Sequence, residues 1–137
     1  MARRVLAVVS EPVSGGALKN AIGEDKAEQA EVLVVAPALN SRWKFWTDDP
    51  DEAIGRADSV QEETVERMEE EGIDAAGDTG ESDPLLAIHD ALQTFPAEEI
   101  VLFTHAGGKR NWLEEGLVGQ AEERFEAPVR HMVVEDS

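Results

Sequence analysis

Residues 4–9 read Arg4-Val5-Leu6-Ala7-Val8-Val9, and this run decides the fold. Successive side chains of a strand point to opposite faces. A run that is apolar at every position therefore predicts a strand covered on both sides, as in a parallel sheet. The same texture recurs at Glu31-Val32-Leu33-Val34-Val35-Ala36 and at Ile100-Val101-Leu102-Phe103. Val129-Arg130-His131-Met132-Val133-Val134 alternates instead, which predicts an edge strand with one face less protected. Ile73 to Asp78 is a weaker strand, placed at the other edge.

Helical patterns fill the spaces between these runs. Ser14 to about Gln29 carries Ala17, Leu18, Ala21 and Ile22, with Ser14 as N-cap. Asp51 to Glu71 sets Ala53, Ala57, Val60, Thr64 and Met68 on one stripe and carboxylates opposite, and Gly72 stops it. Ser82-Asp83-Pro84 opens another helix, with Asp83 capping and Pro84 in the first turn. Leu85, Ile88, Leu92 and Phe95 form its buried face. A last helix, about Trp112 to Phe125, buries Leu113, Leu117, Ala121 and Phe125. The order β-α-β-loop-α-β-α-β-α-β implies right-handed βαβ units. The expected architecture is an α/β three-layer sandwich, a five-stranded parallel sheet with two helices on each face. The chain reads as a single domain over residues 1–137, and 39–50 is its one long irregular piece.

Composition narrows the function. The 137 residues hold 12 Lys+Arg against 30 Asp+Glu, a net charge of -18. Nucleic-acid binding needs a basic face and is not expected. With no Cys there is neither disulfide nor thiolate chemistry. The apolar runs are far short of the ~20 residues of a membrane span, and Arg3-Arg4 is not followed by a secretory apolar region. A cytoplasmic protein without membrane partners is expected. The acidity reads as a solvated surface, or as adaptation to salt that screens self-repulsion.

In an open parallel sheet, ligands bind beyond the carboxyl ends of the strands, where strand order reverses. The loops there are Ser10-Glu11-Pro12-Val13-Ser14-Gly15-Gly16, the stretch from Val35-Ala36 through Arg42-Trp43-Lys44-Phe45-Trp46, and Thr104-His105-Ala106-Gly107-Gly108-Lys109-Arg110-Asn111. Cations, glycines and a helix start at one edge suit an anion. A plain Gly107-Gly108 turn with solvated cations accounts for the same residues. Trp43, Phe45 and Trp46 read as packing that pins a loop, with stacking on a base as the alternative. Catalysis finds no constellation. His89 lies on an outer helix face, His131 has no partner pattern, and adjacent Thr104 and His105 cannot face each other as nucleophile and base. Glu62-Glu63, Glu114-Glu115 and Glu122-Glu123 sit on polar helix faces. No metal-ligand spacing occurs.

Several of these stretches together resemble the universal stress protein (UspA-like) family. They are residues 98–108 with Trp112-Leu113-Glu114-Glu115-Gly116-Leu117-Val118, Arg4 to Val9 with Glu11-Pro12-Val13-Ser14, Ser82-Asp83-Pro84, and Ala127-Pro128-Val129 leading to Val133-Val134. The resemblance implies a Rossmann-like, adenine nucleotide alpha hydrolase-like fold with strand order 3-2-1-4-5. It also implies a homodimer through the last strand, Val129 to Val134. One branch of that family binds ATP through Gly, two residues, Gly, nine residues, Gly, then Ser or Thr. Here those positions are Phe103, Ala106, Gly116 and Leu117, so one of four is kept. Ala106 adds a Cβ where backbone must approach phosphate, Leu117 removes a hydroxyl, and Phe103 brings a bulky ring to the crevice.

The expectation is therefore a divergent member with a degraded ATP motif. It would be a non-enzymatic regulatory or stress-response domain with a modified crevice and no cofactor. The alternative is a nucleotide-binding member holding ATP or AMP. The crevice residues are Ser10, Glu11, Val35, Ala36, Thr104, His105, Gly107, Gly108, Lys109, Arg110, Asn111 and Gly116. A hydrolase or phosphotransferase is a third reading without supporting residues.

Overall fold

The computed structural model describes residues 3–9, 13–37, 50–80, 84–105 and 117–134. Its elements run β1 (Arg3–Val8), α1 (Gly15–Ile22), α2 (Glu24–Gln29), β2 (Ala30–Pro37), α3 (Pro50–Glu70), β3 (Asp74–Gly80), α4 (Pro84–Thr94), β4 (Glu99–His105), α5 (Leu117–Arg124) and β5 (Val129–Val134). The five strands form one sheet in the order β3-β2-β1-β4-β5, and every pair is parallel. Strand β1 is central, with Val5 paired to Val32 on one side and Glu99 on the other.

Alternation along the strands divides the core into two layers. Val5, Ala7, Val9, Val34, Val101 and Phe103 pack under α1, α2 and α3. Leu6, Val8, Val35, Ile100 and Leu102 pack under α4 and α5. The expected two helices per face become, among the described residues, three and two. The cause is Gly23. The single helix expected over residues 14–29 is broken there, because Gly23 takes φ +99, a conformation L side chains rarely adopt. Its N–H closes α1 on the Lys19 carbonyl at 2.8 Å, and its own carbonyl accepts the Ala27 N–H at 2.9 Å to open α2.

The other helix ends follow the sequence reading. Ser14 caps α1, its Oγ accepting the Ala17 N–H at 3.2 Å. Gly72, at φ +81, ends α3 in a Schellman arrangement. The Gly72 N–H reaches the Glu69 carbonyl at 3.0 Å and the Ile73 N–H the Met68 carbonyl at 2.9 Å, while the Ile73 and Met68 side chains are both buried. In α4 the buried positions are Ala87, Ile88 and Ala91, with Leu85 and Leu92 partly buried against the same layer. Phe95 falls beyond the helix end and is only half-buried. Residues 112–116 of the expected last helix, the caps at Ser82 and Asp83, and the Trp43-Phe45-Trp46 loop lie outside the described residues.

Helices α1, α2 and α3 converge on Lys19. Its Nζ lies 3.5 Å from Glu28 Oε1 and 3.4 Å from Glu71 Oε2. Partial burial pushes this ammonium's pKa down, but the hydrogen bond to Glu71 and the charges of Glu28 and Glu71 outweigh that and raise it. Beside it, Gly15 lets α1 approach the end of α3 closely. A Cβ on Gly15 would lie 2.6 Å from Glu71 Cγ and 2.7 Å from its Cβ.

The amino edge of the sheet carries an ionic clasp. Glu99 is almost wholly buried at the start of β4, and its carboxylate meets the Arg130 Nε of β5. Arg3 Nη2 of β1 lies 3.7 Å from the same carboxylate, and Arg3 Nε 3.9 Å from Glu98. A buried carboxylate is tolerable here because cations on both sides compensate its lost hydration.

Two stability outcomes follow. Gly15→Ala should cost about 1–3 kcal/mol through overpacking on Glu71. Gly16→Ala, with Ser14 Oγ at 3.8 Å as its nearest neighbour, should be neutral or better. Thermal denaturation of the two variants compares them directly. Glu99→Gln should lower the urea midpoint by the equivalent of about 1–3 kcal/mol, less than a fully buried pair because both arginines are partly solvated. An unchanged midpoint would show that the clasp adds nothing.

Candidate functional site

The reversal of chain direction across the sheet locates the site. From β1 the chain crosses to β2 over the α1 face, and from β4 it crosses to β5 over the α5 face. The connections leaving the carboxyl ends of these adjacent strands thus part to opposite sides. In a doubly wound sheet that divergence opens a crevice between them.

The strand ends that floor this edge are firmly held. The Val9 N–H, just past β1, donates to the Val35 carbonyl at 3.0 Å. Val35 and Ala36 are buried on opposite sides of the sheet, Val35 with the α4–α5 layer and Ala36 with the α1–α3 layer. Their side chains are core, so what they can offer a ligand is main chain, and the Val35 carbonyl is already engaged. Thr104 and His105 close β4 in register with Val133 and Val134. Phe103, one residue earlier, is wholly buried in the α1–α3 layer. Its ring fills the core beneath the edge and does not enter the crevice as expected, because its face of β4 is covered by the α1–α3 layer.

Of the other expected crevice residues, Ser10, Glu11, Gly107, Gly108, Lys109, Arg110, Asn111 and Gly116 lie outside the described residues. The placement of several described cations is informative by contrast. Arg3 and Arg130 are drawn to Glu99, and Arg4 Nε lies 3.6 Å from Glu31 Oε2, all at the amino edge. Arg67 pairs with Glu63 along α3 at 2.8 Å. His89, on the outer face of α4, lies 3.6 Å from Asp90 and is exposed. His131 is exposed on β5. Among the described residues, no three His, Asp or Glu side chains gather as a metal site would need.

Two polar contacts made by α3 were not anticipated. Thr64 of α3 is fully buried, and its Oγ1 accepts the Val13 N–H at 3.1 Å. Thr79, opposite Ala36 at the end of β3, donates its hydroxyl hydrogen to Asp58 of α3. The first had a signal in the sequence, since Thr64 is the one hydroxyl on the apolar stripe of α3. The second had none, because Asp58 and Thr79 read as ordinary surface residues.

No protein-family model matches the chain, and no curated protein matches it in sequence. Solved structures do match in shape. A universal stress protein from Archaeoglobus fulgidus superposes with a TM-score of 0.66 at 16% identity, over 96% of this chain and 99% of the other. The structure of the universal stress protein from that organism in complex with dAMP gives 0.67 at 15% identity, over 95% and 97%. A universal stress protein family protein from Arabidopsis thaliana with AMP bound gives 0.63 at 13% identity, over 98% and 92%. The superpositions run along nearly the whole of each chain, and this chain has the fold of the universal stress proteins.

Proposed function

We propose that this chain is a universal stress protein-type regulatory domain that works by binding a small ligand at the carboxyl edge of its sheet, without catalysing a reaction. The observation that carries the reading is the divergence of the β1 and β4 connections at neighbouring strand ends, in a fold whose solved examples include complexes with dAMP and AMP. The sequence supplies cations to that edge in Lys109 and Arg110 but no nucleophile–base pair. A net charge of -18 keeps the domain off nucleic acid, and among the described residues no helix is long and apolar enough to cross a membrane. We place it in the cytoplasm, as one domain.

The second reading is an adenine nucleotide site using Ser10, Glu11, the main chain at Val35 and Ala36, Thr104, His105, Gly107, Gly108, Lys109, Arg110, Asn111 and Gly116. The adenine nucleotides held by three of the matching structures, dAMP, AMP and cAMP, favour it. Against tight ATP binding stand Ala106 and Leu117, at motif positions that need glycine and a hydroxyl; the first glycine position is also lost, to Phe103, whose ring lies in the core. ATP is expected to bind with a dissociation constant of about 1 mM or weaker, near -4 kcal/mol. Calorimetry with ATP and AMP, beside native mass spectrometry of the purified protein, decides between the readings. Micromolar ATP affinity would establish the second. In that case Lys109→Ala and Arg110→Ala should each weaken binding, and the wild-type affinity should fall as salt rises.

The domain is further proposed to dimerise through β5. This strand is one edge of the sheet, paired on one side to β4. Antiparallel pairing of two copies about a twofold axis would satisfy its outer backbone groups. The negative charge opposes association at low salt, so light scattering should show the dimer fraction rising with salt. Val133→Pro, which removes a backbone donor, should reduce it. A monomer at every salt concentration, or a dimer indifferent to the proline, would rule this interface out.

A further inference from the structure

We propose that the outer edge of β3 is a docking site for an extended basic segment of another protein, which adds to the sheet as a further strand. This role is separate from the ligand crevice. Strand β3 ends the sheet, with β2 on one side and no strand on the other. All seven of its residues are matched with β2, from Glu31 beside Asp74 to Pro37 beside Gly80. The backbone N–H and C=O groups along its outer side have no sheet partner, and such a row is a template for another strand. The two faces of β3 differ. Ala75, Gly77 and Thr79 lie on the side of Val32, Val34 and Ala36, under α3. That side is closed. A Cβ on Gly77 would run into the Gln61 side chain and come within 3.0 Å of Val65 Cγ2, and Thr79 donates its hydroxyl hydrogen to Asp58 of α3. Asp74, Ala76 and Asp78 lie on the other side, that of Leu33 and Val35, and all three are exposed.

Size and charge select the occupant. Between the two aspartates stand only Ala75, Ala76 and Gly77, so a neighbouring backbone can come to ladder distance, about 4.8 Å. Glu31, beside Asp74 in the ladder, has Arg4 Nε 3.6 Å away. Among the described residues, Asp74 and Asp78 form no ion pair. They share one face of the strand, four residues and about 13 Å apart. A strand laid alongside, with Lys or Arg at two positions four apart, sets a cation beside each carboxylate, because alternate side chains share a face. A second copy of β3 does not suit the edge, since it brings aspartates to aspartates in a chain of net charge -18. The same carboxylates thus exclude self-pairing and admit a basic strand.

The probe is a nonapeptide alternating Thr and Lys, titrated into the isotope-labelled full chain and followed by amide NMR shifts. Its control is a peptide of equal charge interrupted by a central Pro-Pro pair. Consecutive prolines remove ladder donors on both sides of a strand, so this control fails in either orientation. The wild type should show saturable shifts at the amides of residues 74–80, with those of residues 129–134 unmoved. The dissociation constant should rise at least about fivefold for the Pro-Pro peptide, and by about the same factor for the double variant Asp74→Asn with Asp78→Asn. Both aspartates are exposed, so the variant should keep the wild-type amide exchange at Leu6 and Val101, which verifies its fold. Equal binding of the Pro-Pro peptide, or shifts spread along the carboxylates of α3, would mean diffuse attraction to an acidic surface and would overturn the proposal. Unaltered affinity in the double variant, or shifts confined to β5, would overturn it as well. So would absence of binding, in which case Asp74 and Asp78 serve only to keep the edge unpaired.

Discussion

Everything in this structure depends on the burial of one strand on both faces from Val5 onward. Val5, Leu6, Ala7, Val8 and Val9 each have no exposed surface. A strand with no solvated face must have neighbours on both edges and a layer on both faces. Parallel neighbours must be reached by crossovers, and the right-handed crossover fixes which face each helix covers. Placing β1 at the centre therefore determines the three layers. It also determines the point where connections part to opposite sides. The core and the candidate site are consequences of the same constraint.

At the amino edge of the sheet, charge holds strands together. At the amino edge, a nearly buried carboxylate on β4 is compensated by guanidinium groups from β1 and β5, so three strands are joined by one acid. With 30 acidic residues in the chain, a carboxylate is easily supplied and a cation is scarce. Arg3, Arg4 and Arg130 are occupied at this edge. The cations that the sequence reading assigns to the carboxyl edge, Lys109 and Arg110, come four and five residues after the end of β4 and lie outside the described residues.

Helix α3 acts as the strut between the two halves of that arrangement. Its end is closed by Gly72 and packed against Gly15, with Lys19 joining it to α1 and α2. Its middle holds Val13 through Thr64, and its earlier part holds β3 through Asp58. Contacts between elements so distant in sequence are formed only when the layers assemble. They tie α3 to the start of α1 and to β3.

Much of this was legible in the sequence, and the physical reason is periodicity. Five apolar positions at residues 5–9 leave no alternative to a doubly covered strand, and the alternation over residues 129–134 marks an edge. Caps at Ser14 and Gly72 depend on local backbone chemistry and were readable for the same reason. Val35 and Ala36 were placed at the right edge, but that their side chains belong to the core on opposite faces depends on the layers above and below them. Gly23 shows the limit of local reading. Periodicity continued across it, yet α1 stops there as the chain turns to bring Ala27 into the core. Thr64 and Glu99 show it more strongly. One looks like a flaw in an apolar stripe and the other like surface charge. Their meaning lies in partners 51 and 31 residues away, Val13 and Arg130. The sequence by itself determined which segments are strands and helices, because each pattern is written within a few residues. The tertiary structure alone decided which buried polar groups are satisfied and by whom, because a hydrogen bond or ion pair between distant segments exists only once burial has brought them together.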